Sequence, residues 1–169
     1  MTVRSRRPGM PWRWGLLALC CSLLAEGPAT GSEAPRDGAV PPIQVITLER
    51  DCSTCANSSR LSLHRNGTAL LTHTGKARLG GVDRHSRAAL ARADFDALAA
   101  LLEQQGFFAL AESYDDPETR DGAWVNWQVE RGAEVRQVFC RSGREPAALL
   151  RLEAAVQALQ ARLNFNPEP

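Results

Sequence analysis

Polar and apolar positions change period several times along the chain, and the changes mark out the elements. Ile43-Gln-Val-Ile-Thr-Leu-Glu49 is short, β-branched and apolar on both faces, which predicts an inner strand of a sheet. Arg60 to Arg65 alternates, with Leu61 and Leu63 on one face and Arg60, Ser62 and His64 on the other. Asn66-Gly67 follows, then Thr68 to Thr74. Asn-Gly is the strongest two-residue hairpin signal, because both positions of a type I′ turn need φ > 0. That turn predicts Arg65 opposite Thr68, Leu63 opposite Leu70, Leu61 opposite Thr72 and Arg60 opposite His73. Gly75 to Gly81 reads as a glycine-punctuated turn, and Val82 to Ala88 as a fourth strand.

The period then becomes helical. Phe95, Leu98 and Leu102 form an i, i+3, i+7 stripe, with Asp94 as the expected N-cap and Gly106 ending the helix. Phe107-Phe108 and Leu110 are expected core. Trp124 to Glu130 alternates again, with Val125, Trp127 and Val129 on one face, and Val135 to Cys140 returns after Arg131-Gly-Ala-Glu134. If the turn centres on Gly132-Ala133, Val125 faces Cys140, Trp127 faces Val138 and Cys140 lies on the apolar face; a one-residue slip would reverse this, and the glycine alone does not settle the register. Pro146 opens a last helix whose apolar stripe is Leu149, Leu152, Val156, Leu159 and Leu163. The order β-β-β-(β)-α-β-β-α predicts an α+β domain: an antiparallel sheet of about five or six strands with two helices on one face.

The first forty residues follow different rules. Arg4, Arg6, Arg7 and Arg13 form a basic region, followed by about a dozen apolar residues from Trp14 to Ala25, shorter than the roughly 20 a membrane span needs. This predicts a secretory signal peptide over 1–29, with cleavage after Ala29 or, on the same small-residue rule, after Gly31. Retention as an anchor, lipidation at Cys20 or Cys21, and twin-arginine export at Ser5-Arg6-Arg7 are weaker alternatives. Residues 30–42 read as a disordered linker, 43–164 as the single domain and 165–169 as a disordered tail. The expected location is periplasmic or secreted, with no membrane span once the signal is removed.

Charge and composition narrow the classes. The whole chain carries +1, but four arginines and a single glutamate lie before Ser32, so the rest carries −2. A near-neutral domain lacks the electrostatic footprint of a nucleic-acid binder. Arginine replaces lysine almost throughout; Lys76 stands alone.

Beyond the signal-like segment lie three cysteines: Cys52, Cys55 and Cys140. An oxidising compartment favours a bridge, and an odd count allows only one within the chain. Cys52–Cys55 is the local choice; Cys140 with either of them would staple the first loop to the second hairpin, closing a longer loop. Cys-x-x-Cys also suggests thiol redox chemistry, which wants the first cysteine at a helix N-terminus, whereas this pair lies between strands. Zinc would need four ligands. The predicted register places His64 and His73 on one face roughly 13 Å apart, too far to share a metal. The acids Glu112, Asp115, Asp116, Glu118 and Asp121 do not follow the calcium-loop pattern and read as a solvated loop. Asn57 and Asn66 match the glycosylation pattern by chance. No serine elbow or phosphate loop occurs, so no catalytic, cofactor or metal residues are assigned.

Several of these pieces recur in a fixed order. Glu49-Arg50, Cys52 and Cys55, Asn66-Gly67-Thr68, Phe107-Phe108-Ala109-Leu110, Tyr114 and Asp121 fall as they do in an uncharacterised family of small exported bacterial proteins, which the chain resembles from about Ile43 to Leu163. Here the cysteine spacing is one residue shorter, and Ala56 stands where that family has proline. The resemblance implies an exported α+β domain and carries no activity. The functional expectation is therefore a non-enzymatic exported domain that binds or accompanies a partner, with another extracytoplasmic protein as the candidate. The alternative is a thiol redox or metal-binding protein using Cys52, Cys55 and Cys140; an inhibitor of a secreted enzyme is a weaker third.

Overall fold

The computed structural model describes residues 40–115, 118, 121–141 and 143–168; the segment expected to be a signal peptide and most of the expected linker lie outside them. Among the described residues eight strands form one sheet: β1 (Ile43–Cys52), β2 (Asn57–His64), β3 (Thr68–Gly75), β4 (Arg84–Ala89), β5 (Ser113–Tyr114), β6 (Ala123–Arg131), β7 (Glu134–Arg141) and β8 (Asn166–Pro167). The spatial order is β5-β7-β6-β1-β2-β3-β4-β8, antiparallel except for β5 against β7. The helices are α1 (Arg92–Gln104) and α2 (Ala147–Gln160).

The α+β class stands, and the strand count is eight rather than five or six. The additional strands are two-residue edges, too short to carry a period of their own. β5 runs beside β7. β8 pairs Ser86 with Pro167 and Arg87 with Asn166, in what the sequence leaves as tail.

One sheet face is packed. Ile46 and Leu48 face Leu63 and Leu61 on one side and Val129 and Trp127 on the other, all buried. Phe95, Leu98 and Leu102 from α1, and Leu149, Leu152, Val156 and Leu159 from α2, join the same core. The predicted stripes of both helices are therefore the buried ones. α1 begins two residues before the expected cap: its N-cap is Ala91, and Asp94 sits in the first turn, where a carboxylate favours the helix dipole. Gly106 ends α1 in the left-handed conformation, and Phe107 behind it is fully buried.

The two long hairpins differ. β6–β7 has the expected register, Val125 opposite Cys140 and Trp127 opposite Val138. β2–β3 does not. His64 pairs Thr68, Leu63 pairs Ala69 and Leu61 pairs Leu71, one residue from the predicted alignment. The loop contains three residues, Arg65, Asn66 and Gly67, with Gly67 at positive φ and its N–H donating to the His64 carbonyl at 3.1 Å. The shift buries Leu71 and turns Leu70 to the other face.

Candidate functional site

β1 ends in a tight corner. Cys52 and Cys55 are disulfide-bonded, with Cα atoms 5.2 Å apart, and Ser53, Thr54 and Cys55 face solvent. The Asp51 carboxylate accepts from the Cys52 N–H at 2.7 Å and from Lys76 Nζ at 2.5 Å. The same Nζ donates to the Cys52 carbonyl at 2.6 Å. The chain's sole lysine thus clamps the end of β1 from the loop after β3. The backbone closes just as tightly: Lys76 N–H meets the Ala56 carbonyl at 2.8 Å. A Cβ on Gly81 would lie 2.0 Å from the Ala56 carbonyl oxygen, and one on Gly75 2.3 Å from the Gly81 backbone. Both positions therefore demand glycine for space.

Cys140 is free and buried. It lies on β7 opposite Val125, whereas Cys52 lies on β1 opposite Ala123, so β6 runs between them. Two strand spacings separate them, about 10 Å, beyond the roughly 7 Å that a disulfide spans. Burial, with Glu145 and Glu153 adding to it, raises the thiol pKa from 9.0 to about 11. The thiolate is the reactive form, so this thiol is chemically quiet. The Cys52–Cys55 pair lies between two strands rather than at a helix N-terminus, so no helix dipole activates either sulfur.

The histidines separate more than the sequence suggested. His64 projects from the uncovered face, whereas His73, opposite Ser59, projects from the helix-covered one; the one-residue register shift is the cause. His85 sits on the uncovered face with Nδ1 3.4 Å from Thr72 Oγ1. Among the described residues no group of three or more metal-ligating side chains comes together. Of the acidic run, Glu112 pairs with Arg136 at 3.2 Å and Asp115 with Arg141 at 2.6 Å; Asp116 lies outside the described residues.

Among the described residues no helix covers the other sheet face, which is laid out in cross-strand rows. One row reads Gln137, Gln128, Thr47, Ser62, Leu70 and Arg87 from β7 to β4. Gln137 Nε2 donates to Gln128 Oε1 at 3.2 Å, and Thr47 and Ser62 hydroxyls lie 3.2 Å apart. The next row reads Phe139, Asn126, Glu49, Arg60, Thr72 and His85. Arg60 pairs with Glu49 at 3.5 Å, and Trp124 stands 6.0 Å from Phe139 between ring centres.

Where these rows reach the disulfide corner, a cavity of about 310 Å³ opens, lined by Trp124, Glu49, Asp51, Arg60, Thr72 and Thr74 among others. A larger cavity of about 420 Å³ lies beside Pro41 and Pro42. Its arginines are already engaged, Arg131 with Glu103 at 3.1 Å and Arg65 near Asp96 at 3.8 Å. Sequence reasoning passed over Lys76 and Trp124 as site residues. Their signals were a single lysine in an arginine-rich chain, and a tryptophan on the face opposite Val125 and Trp127.

No protein-family model and no curated protein matches the chain.

Proposed function

We propose that the protein is a non-enzymatic domain, exported to the periplasm or beyond, that binds a partner on its uncovered sheet face. The observation that carries this reading is the asymmetry of the sheet. One face is sealed by α1 and α2, while the other presents paired arginines, amides, hydroxyls and the Trp124–Phe139 pair to solvent. Aromatic and arginine side chains on a rigid strand framework suit recognition, because little freedom is lost when they are engaged. Export rests on the basic-then-apolar N-terminus, and the resemblance to small exported domains accords with it. No helix among the described residues is long and apolar enough to cross a membrane.

A photo-crosslinking residue at Asn126, on the uncovered face, tests the reading against one at Ala154, on the outer side of α2. In the exporting cell, the Asn126 position is expected to yield a discrete adduct that Ala154 does not. Equal products from both positions, or none from either, would count against the face as a binding surface.

The thiol alternative keeps one supporting observation, the solvent exposure of Cys55. A Cys52–Cys55 bridge that opens under a mild glutathione poise would favour it. Resistance to such a poise accords with a structural staple.

A further inference from the structure

We infer that the cavity beside the disulfide corner holds a neutral saccharide unit, an inference that rests on the uncovered face being the binding surface. The cavity joins two kinds of group. Trp124, half-buried at its edge, offers an aromatic surface, and Ser58, Thr72 and Thr74 supply hydroxyls. Glu49 and Arg60 lie side by side on neighbouring strands, 3.5 Å apart and both partly exposed. A pyranose matches this division. Its C–H face lies on an aromatic ring, and its hydroxyls both donate to a carboxylate and accept from a guanidinium.

Charge argues for a neutral ligand. Of the charged lining residues, Glu49 is balanced by Arg60, Asp51 by Lys76 and Arg50 by Glu153, so the cavity has no surplus of either sign to attract an ion. The volume of about 310 Å³ is at the small end for ligand sites, which suits one sugar or a chain end. The site is also held in shape: Lys76 fixes Asp51, the disulfide closes the adjoining loop, and Arg50 and Ser59, paired on neighbouring strands, complete the lining. Such preorganisation reduces the entropy lost on binding.

The test is amide- and indole-resolved NMR titration of the exported chain with glucose, galactose, N-acetylglucosamine, maltose and cellobiose, with glucuronate and inorganic phosphate as anionic probes. At least one neutral sugar is expected to give saturable shifts at the Trp124 indole and at Glu49, Arg60 and Thr72. Trp124→Ala should weaken that binding about tenfold or more while leaving the melting temperature within a few degrees. Arg60→Gln, an exposed change that spares the fold, should weaken it independently. The inference is overturned by absence of saturable shifts with every neutral sugar, by binding that survives Trp124→Ala, or by tighter binding of glucuronate or phosphate. Failure here alongside a discrete Asn126 adduct would reject the saccharide and leave the binding face standing; failure of both would reject the face.

Discussion

Lys76 and Cys140 are the two side chains whose surroundings matter most. Lys76 Nζ satisfies the Asp51 carboxylate and the Cys52 carbonyl together, with both side chains about four-fifths buried. Lys76→Met removes the cation and leaves the carboxylate without it, so a loss of about 1–3 kcal/mol in urea unfolding is expected, with faster reduction of the neighbouring disulfide. Wild-type stability with unchanged reduction would mean the clamp contributes nothing. Cys140 makes a claim about pH. Its thiol keeps its proton in the folded state up to about pH 11, while in the unfolded chain it titrates near 9.0. The folded state therefore binds more protons between those values, and stability is expected to fall as pH rises from about 9 to 11. Cys140→Ala should abolish that part of the slope. At pH 8, thiol reagents should label wild-type Cys140 only at the rate of unfolding, and prompt labelling would contradict its burial.

At the scale of elements, what could be read from sequence depended on how many registers the pattern allowed. β6–β7 was legible as a hairpin because Val125, Trp127 and Val129 alternate ahead of Gly132-Ala133; the glycine left a one-residue slip open, and the observed register sets Val125 opposite Cys140 and Trp127 opposite Val138. β2–β3 was legible as a hairpin too, but not in its register. Leu70 and Leu71 are adjacent, so either register places one leucine inward, and Asn66-Gly67, the strongest two-residue signal, also fits a three-residue loop with Gly67 at its positive-φ position. The helix stripes were legible because 3.6-residue spacing leaves little choice; the start of α1 was not, because Ala91 caps it without a side-chain signal. Neither was the cavity, because Trp124, Glu49 and Thr72 are brought together by strand order rather than by any local pattern. The corner between β3 and β4 makes its own prediction. Gly81→Ala must displace the Ala56 backbone and is expected to cost about 1–3 kcal/mol or more, whereas Gly80→Ala meets no atom within 4 Å and loses only the ease of its positive φ. Denaturant midpoints ranking the two the other way would refute the close packing.

At the scale of the whole molecule, a two-layer arrangement follows from the two helix stripes and the alternating strands. α2 carries much of the seal, and Leu152→Ala, at a fully buried position, should cost about 2–5 kcal/mol in the same measurement. Among the described residues the remaining face has no covering layer, and polar rows of the kind it carries suit a face left open to water. Side-chain hydroxyl-radical footprinting tests its use most directly, comparing purified protein with the same chain in its native compartment. Trp124, Phe139 and Leu70 on the uncovered face should react several-fold more slowly in the compartment, while Leu150, 52% exposed on α2, keeps its rate. Equal rates at all four residues, or protection of Leu150 alone, would contradict the proposal that the open sheet face is where this protein works.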